Sequence, residues 1–448
     1  MSVKKINYYL IFTLFFFTLL GCNDSTCSKE TPEEFVPSKL AVPTLIIIMN
    51  WDDYSENDPQ IWHQKFFDKA SKSVNRWYYY ATEADAELIP VKENSGTADD
   101  GVITIDMHKP HPGGYNDTTF RDEEITYAIT NSEVDNNIDF SQYDTNGDGN
   151  ISYDELQIVF IVAGGEEAYG DARRKSVWAH AWNYEESQNP RLDGVDLMKY
   201  TGDFKTSGVY VKFGASHAID TSNEHKATVG IMAHEMSHSL FDLYDLYDLS
   251  GGSGVGAYDI MSNGTWTKSS TDAYYGETPT GFSSFSKIDA RLDLNISSIS
   301  SSSEVTIRCS ANSLTKLVTN KTNEYFLLEC RDSAKVYSDI AFYEIDKHFT
   351  TNKLFAVLYH VDEDKDTNYE SGVQTEYNHY KVALVEKNTF VKMTSTEGIE
   401  ADYNDVYDVG DVIDTSRTRL YDGTATGYKI EVTNANYTDR SMSFKITR

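Results

Sequence analysis

The chain has 448 residues and a formal net charge of −31, because 70 Asp and Glu outnumber 39 Lys and Arg. So large an acidic excess argues against electrostatic binding to nucleic acid or to an anionic lipid surface. A hydrophobic fraction of 40% and an aromatic fraction of 13% suffice for folded cores. The length predicts roughly two or three domains.

The N-terminus has the pattern of a bacterial lipoprotein signal. Lys4 and Lys5 precede an apolar run from Ile11 to Leu20, which is too short to span a bilayer and leads into Gly21-Cys22. We therefore expect a signal peptide at 1–21, a lipid on Cys22 and a flexible tether at 22–40. A plain signal peptide that ends near a Cys is the alternative. The lipid would hold an extracytoplasmic protein to a membrane of the bacterial envelope, in the periplasm or at the cell surface.

The folded part is predicted to begin with a strand and a helix. Leu45-Ile46-Ile47-Ile48-Met49 is a continuous apolar run, which is typical of a strand buried on both faces. The stretch from Trp62 to Tyr80 predicts one helix that ends in an aromatic run.

Residues 144–155 fit a twelve-residue calcium loop position by position. Oxygen ligands stand at positions 1, 3 and 5, Gly149 is at the turn, position 7 offers a carbonyl and position 12 a bidentate carboxylate. The predicted calcium ligands are Asp144, Asn146, Asp148, Asn150 and Glu155. The following run, 156–162, is rich in β-branched residues and predicts a strand instead of the second helix of an EF-hand. The alternative is a polar surface loop.

The strongest chemical signal is His234-Glu235-Met236-Ser237-His238. On a helix, residues four apart share one face, so both imidazoles can reach one zinc ion. Glu235 is not a ligand in this arrangement and is the predicted general base. The alternative is a helix that carries two core His and a surface Glu by chance.

Zinc sites of this type need a third protein ligand and keep a fourth position for water. Three Asp follow His238 within ten residues, and a carboxylate soon after the helix can complete the site. Asp259 lies about twenty residues on, at a separation used by some zinc peptidases, but in a Gly-rich segment that predicts a loop.

These motifs resemble the immune inhibitor A family of bacterial zinc metallopeptidases. The family follows its two His with a loop that ends in Asp-Leu-Tyr-Asp, and the resemblance implies that Asp245 is the third zinc ligand, with Asp242 as the alternative register. Phe241 and Tyr244 stand where many members have Gly and Pro. The resemblance also makes Met261 the residue of a Met-turn beneath the metal, as in metzincins, and it includes the stretch from Asp139 to Gly149.

A further resemblance covers 176–182, where His180 is either a ligand or substrate contact or a structural core His between two Trp. Past a helix predicted around Phe282 to Lys287, the serines between 297 and 303 suggest a polar joint. The following short alternating strands are typical of a β-sandwich. Cys309 and Cys330 lie in this part, as either a disulfide or two buried thiols.

The sequence thus predicts an α+β protein, with a zincin-like metallopeptidase domain at 41–296 and an all-β sandwich-like domain at 304–448. We expect a lipid-anchored secreted zinc endopeptidase with Zn²⁺ and Ca²⁺ as cofactors and with protein or peptide substrates. No nucleic-acid partner is expected, and the oligomeric state is not predicted. Two alternatives are another zinc hydrolase acting on cell-wall peptides and a non-catalytic, calcium-stabilised surface binding module.

Overall fold

A computed structural model of the chain describes residues 40–69, 72–83, 85–113, 119–170, 175–184, 189–199, 209–218, 223–248, 254–269, 271–309, 312–333, 353–366, 368, 378–387 and 405–448. The predicted signal peptide, Cys22 and, except for Leu40, the predicted tether lie outside these residues. Within these ranges, none of the helices has both the length and the apolar character that a bilayer crossing requires.

The N-terminal part is built on a mixed eight-stranded sheet with a separate two-stranded hairpin, β7–β8. Its strands are β1 (Leu40–Asn50), β2 (Ala86–Pro90), β3 (Val102–Asp106), β4 (Gln157–Glu166), β5 (Ser176–Val177), β6 (His180–Trp182), β7 (Arg191–Leu192), β8 (Val195–Asp196), β9 (Tyr210–His217) and β10 (His225–Lys226). The main path is β10-β9-β4-β1-β2, in which β9, β4, β1 and β2 are parallel and β10 is antiparallel.

The central strand β1 confirms the predicted buried strand. Ile46 and Ile48 enter the core on one face of the sheet, and Leu45, Ile47 and Met49 enter the core on the other face. A parallel strand covered on both faces needs apolar side chains at every position, which explains the unbroken apolar run.

The helices are α1 (Pro59–Phe67), α2 (Val74–Ala81), α3 (Thr119–Ile129), α4 (Ser132–Asp135), α5 (Val229–Phe241) and α6 (Ser284–Asp289). The prediction of a single helix from Trp62 to Tyr80 is wrong. Ser73 has an extended backbone, and its side-chain oxygen accepts a hydrogen bond from the Arg76 amide at 3.0 Å. Ser73 therefore caps a second helix.

The C-terminal part contains two further sheets. Its strands are β11 (Asn295–Ile299), β12 (Ser303–Arg308), β13 (Ser313–Leu317), β14 (Glu324–Asp332), β15 (Leu354–Asp362), β16 (Val382–Leu384), β17 (Val412–Ile413), β18 (Lys429–Asn436) and β19 (Ser441–Thr447). One sheet has the order β11-β13-β14-β15-β16, and the other has the order β12-β19-β18-β17. The predicted polar joint is wrong in part, because its first serines lie in the mostly exposed edge strand β11.

The two sheets pack on each other around a shared core that includes Phe326, Leu328, Val432 and Phe444. Cys309 and Cys330 are joined by a disulfide in this core. The opposite face of the five-stranded sheet, which includes Leu327, belongs to the same core as the residues of α5. β14 and β15 are therefore buried on both faces.

The fold is thus mixed α/β, with sheets dominating, and Pro37–Arg448 forms one compact unit. Residues before and after the predicted domain boundary at 296–304, in α5 and in the five-stranded sheet, pack into one core. The division into two domains stays a prediction.

Candidate metal centre

Helix α5 carries the candidate metal ligands in a buried position. His234, Glu235 and His238 are each less than a tenth exposed, and their potential ligand atoms lie within 4.8 Å of one another. The helix packs closely on the turn that follows Met261, since a Cβ atom on Gly230 would lie only 1.9 Å from the carbonyl oxygen of Thr265. Glycine at this position thus allows α5 to approach that turn.

Asp245 completes a three-residue centre. The helix ends at Asp242, which adopts left-handed backbone angles (φ 55°, ψ 40°) and redirects the chain. Asp245 Oδ1 then lies 3.1 Å from His234 Nε2 and 3.0 Å from His238 Nε2. The structure thus brings together the three predicted zinc ligands, whereas Asp242 serves as the helix cap.

The other nitrogen of each imidazole faces a backbone carbonyl. His234 Nδ1 lies 2.7 Å from Ile260 O, and His238 Nδ1 lies 2.6 Å from Leu243 O. Because a carbonyl oxygen only accepts, each Nδ1 carries the proton, and in a neutral ring Nε2 presents its lone pair to Asp245. Backbone carbonyls fix metal-binding imidazoles in this way.

The centre fits a divalent cation. Two lone-pair nitrogens and a carboxylate oxygen repel one another unless protons or a metal ion lie between them. Ligand atoms at the vertices of a tetrahedral zinc site are about 3.3 Å apart. The observed separations of 3.0 and 3.1 Å would have to widen by only about 0.3 Å to reach that spacing.

The charged groups of the centre shift one another's pKa values. Burial lowers the pKa of His234 and His238, but Asp245 and other nearby acceptors together outweigh burial and the net direction is upward. Burial raises the pKa of Asp245, but the two imidazoles hold it well below its usual range. Burial is also the largest cause that raises the pKa of Glu235, to about 8.

A second buried carboxylate, Glu166, lies near Glu235 and was not predicted from the sequence. Its oxygens accept hydrogen bonds from the amides of Ala168 at 2.9 Å, Ala179 at 3.0 Å and Gly214 at 2.7 Å. Burial raises the pKa of Glu166 to about 7, and its charge in turn raises the pKa of Glu235. An acidic residue that directly ends an apolar strand was the signal that could have identified it.

Two more contacts around the ligands were missed. Tyr247 donates its hydroxyl to Asp245 Oδ2 at 3.1 Å, and its ring stacks beside His234 at 6.3 Å. The Thr265 hydroxyl donates to Ile260 O at 2.5 Å and lies 3.1 Å from His234 Nδ1. Both residues belong to segments that the sequence singled out, but a pattern does not show which side chains turn toward the centre.

Asp259 and Met261 have structural positions. Asp259 accepts hydrogen bonds from the Met261 amide at 2.8 Å, the Ser283 amide at 2.9 Å and the Ser286 hydroxyl at 2.6 Å. These bonds use both of its oxygens, so it serves the turn and does not join the ligands. Met261 is fully buried in the same core as α5, as a Met-turn residue would be.

His180 lies on β6 and is not part of the described ligand group. Its ring centroid is 6.0 Å from those of Trp182 and Tyr210, and its Nδ1 lies 3.1 Å from Trp178 O. These contacts favour the interpretation of His180 as a structural residue.

The calcium-type loop has the expected backbone, but its carboxylates face its own amides. Gly149 adopts a positive φ of 82°, as position 6 requires. Asp144 accepts amide hydrogen bonds from Gly147, Asp148 and Gly149 at 2.8–3.1 Å. In the part of the chain that the structure describes, the loop's acidic groups form no cluster close enough to hold a metal ion. Calcium binding stays a prediction.

The end of that loop is held in the same manner. Glu155 accepts hydrogen bonds from the amides of Thr145 at 2.8 Å, Asn146 at 3.1 Å and Ser152 at 3.0 Å. Burial raises the pKa of Glu155, but hydrogen bonds from the Ser152 amide and hydroxyl, the Thr145 hydroxyl and the Asn146 amide together outweigh burial and lower it. Asn150 forms a β-bridge to Asp196, which fastens the loop to β8.

Part of this chain is similar to a known peptidase family. Residues 107–294 match the immune inhibitor A peptidase M6 catalytic domain. Immune inhibitor A of Bacillus thuringiensis subsp. alesti is 31% identical over 156 residues, which cover 32% of this chain and only 20% of that protein. The crystal structure of wild-type OgpA from Akkermansia muciniphila aligns with 77% of this chain and 90% of its own, at 13% identity and a TM-score of 0.27.

The resemblance to the immune inhibitor A family is therefore confirmed, and the family match is to a metallopeptidase. The matched residues 107–294 include both the calcium-type loop and the metal centre. Peptidases of this family generally depend on zinc.

Proposed function

Given this immune inhibitor A-like metallopeptidase domain, we propose that the protein is a zinc endopeptidase whose ligands are His234, His238 and Asp245. The observation that carries the proposal is the convergence of both Nε2 atoms on Asp245 Oδ1 at 3.0–3.1 Å inside a buried site. These three atoms repel one another unless protons or a cation lie between them, and a zinc ion bound by all three would remove that repulsion.

The metal ion and Glu235 would have different roles in peptide hydrolysis. A zinc ion bound there would lower the pKa of its water ligand and polarise the scissile carbonyl. Glu235 would accept a proton from the attacking water and return it to the leaving amine. Without the ion, a pKa of about 8 leaves the Glu235 carboxyl largely protonated at neutral pH. A nearby divalent charge would lower that pKa and make the carboxylate available as a base.

The proposal predicts that Glu235→Gln retains zinc and loses activity. Gln is close in size and cannot accept the proton, so casein hydrolysis should fall by about 10²–10⁴-fold. Metal analysis of the same sample should give one zinc per chain for both proteins. Chelation should abolish hydrolysis by the unmodified protein, and added zinc should restore it.

Hydrolysis at the normal rate by Glu235→Gln would overturn the role of this residue. One zinc per chain without cleavage of any protein in a proteome-wide profile would favour a binding module. Cleavage restricted to cell-wall peptides would favour another zinc hydrolase.

We further propose that the leader and the calcium-type loop act as the sequence indicates. A lipid on Cys22 would anchor the enzyme to the bacterial envelope, outside the cytoplasm. Ca²⁺ bound at 144–155 would stiffen the start of β4 instead of acting as a signal. The zincin-like and sandwich-like domains at 41–296 and 304–448 are part of the same proposal.

A further inference from the structure

The loop that carries Asp245 is held by residues of the C-terminal part. We call residues 243–248 the ligand loop. Asn368 Nδ2 donates a hydrogen bond to Leu246 O at 2.9 Å, and Tyr380 Oη donates to Asp248 Oδ2 at 2.7 Å. The two contacts join positions 122 and 132 residues apart in the sequence.

Asn368 is a fully buried bridge between the ligand loop and β16. Besides its bond to Leu246, its Nδ2 donates to Val382 O at 2.9 Å, and its Oδ1 accepts from Val382 N at 3.0 Å. The two amide protons and the carbonyl oxygen of the side chain are therefore all used. A buried amide with every group satisfied fixes the two segments that it joins.

The backbone of Leu246, the residue directly after Asp245, is held by hydrogen bonds at both its amide and its carbonyl. Its amide donates to Met261 O at 2.7 Å, and its carbonyl accepts from Val255 N at 3.1 Å as well as from Asn368. Gly254 has a positive φ of 56°, and a Cβ atom there would lie 1.8 Å from Leu246 O. The backbone beside Asp245 therefore has little room to shift.

Tyr380 restrains the end of the same loop. It is fully buried, and its hydroxyl lies between the carboxylate of Asp248 and the backbone amide of Gly254. Asp248 is itself almost fully buried. The hydroxyl thus satisfies a buried carboxylate three residues from Asp245.

We propose that Asn368 and Tyr380 are positioning residues of the metal centre, which hold Asp245 at the distance from His234 and His238 that a metal ion requires. The proposal rests on the proposed function, because it takes Asp245 as a zinc ligand. Their described contacts to the ligand loop are with Leu246 and Asp248, which follow Asp245 in the chain. Their effect on the metal runs through the backbone of the ligand loop.

The test compares Asn368→Leu and Tyr380→Phe with the unmodified chain and with Tyr407→Phe. Tyr407 is a matched control, because it is buried and donates its hydroxyl at 2.8 Å to Val385 O, which is not part of the ligand loop. Zinc affinity is measured by competition with a chromophoric chelator. Hydrogen exchange of the amides at 243–248 is measured on the zinc-free proteins.

For Asn368→Leu we expect a zinc dissociation constant raised by about 10–100-fold, the usual effect of losing a residue that supports metal ligands. Tyr380→Phe should show a smaller rise in the same direction. Both variants should exchange the 243–248 amides faster. Tyr407→Phe should match the unmodified chain in both measurements.

Zinc affinity and exchange that are unchanged in both variants would overturn the proposal. If Asn368→Leu fails to fold, Tyr380→Phe decides, since it removes a single oxygen atom. If the unmodified chain binds no zinc, the proposed function fails. The exchange rates would then still show whether these two residues hold the loop.

Discussion

The two candidate metal sites differ in where their polar atoms find partners. In the calcium-type loop, the carboxylates of Asp144 and Glu155 accept hydrogen bonds from the loop's own amides. In the metal centre, the backbone holds the outer nitrogens of both imidazoles, and the inner nitrogens face the Asp245 carboxylate. The first arrangement is satisfied without a cation, whereas the second needs protons or a metal. A motif match alone does not distinguish these two cases.

The largest effect that tests this contrast is expected at Asp245. Asp245→Asn removes the negative charge between the imidazoles and should weaken zinc binding by more than about 100-fold, beyond the usual effect of a supporting residue. Asp242→Asn is the matched control, because Asn tolerates the left-handed conformation of that cap. It should bind zinc as the unmodified chain does. Zinc titrations in which Asp242→Asn is the weaker binder would reverse the ligand assignment.

A smaller effect is expected at the calcium-type loop. Glu155→Gln replaces a charged acceptor of several amide hydrogen bonds and should lower the free energy of unfolding by about 1–3 kcal/mol without calcium. Calcium should stabilise the unmodified chain, by about 2.7 kcal/mol at 100 times its dissociation constant, and should not stabilise the variant.

Denaturant titrations with calcium and with a calcium chelator measure both quantities. Equal stabilisation of Glu155→Gln and the unmodified chain by calcium would show that the ion does not bind at Glu155.

The smallest effect is the pH dependence of the zinc-free protein. Asp245 raises the pKa of His234 and His238. The protonated imidazoles therefore stabilise the fold below about pH 6.5, and this stabilisation is lost as the pH rises through their raised pKa values. Glu235 likewise contributes stability that is lost as the pH rises, because its pKa is raised to about 8. The Tm of the chelated protein should fall by at least about 1 °C between pH 6 and pH 9, which corresponds to about 1 kcal/mol for a chain of this length.

Zinc should remove most of that fall, because the ion replaces the protons between the ligands. The calcium-type loop contributes in the opposite sense. Because the pKa of Glu155 is lowered, its ionised carboxylate stabilises the fold above about pH 4.5, and this stabilisation is lost only as the pH falls. Scanning calorimetry from below pH 4.5 to pH 9 covers both contributions, and a Tm of the chelated protein that stays level from pH 6 to pH 9 would contradict the expected fall.

The sequence predicted the elements that have a local signal. The apolar run of β1 and the spacing of His234 and His238 follow directly from periodicity. Asp245 required the family resemblance, because spacing alone left three Asp open. The break between α1 and α2 was missed because the cap formed by Ser73 looks like any other Ser in a polar stretch.

The features that the sequence did not predict depend on contacts between distant segments. Asn368 lies in a stretch with no motif, and its contact to Leu246 arises only when β16 packs beside the ligand loop. Glu166 is close to Glu235 because it ends β4 beside β9, and β9 packs against α5. The serines of β11 were assigned to a joint because a strand exposed on both faces lacks the alternation that identifies most strands.

The contact between Asn368 and Leu246 also makes the ligand loop depend on a late part of the chain. Helix α5 is complete once residue 241 has left the ribosome, whereas Asn368 follows 127 residues later (368 − 241). In a growing chain, His234 and His238 are therefore synthesised well before Asn368, whose hydrogen bond to Leu246 holds the loop that carries Asp245. Under the proposed function, a chain that ends before residue 368 lacks this hydrogen bond and is expected to hold zinc more weakly.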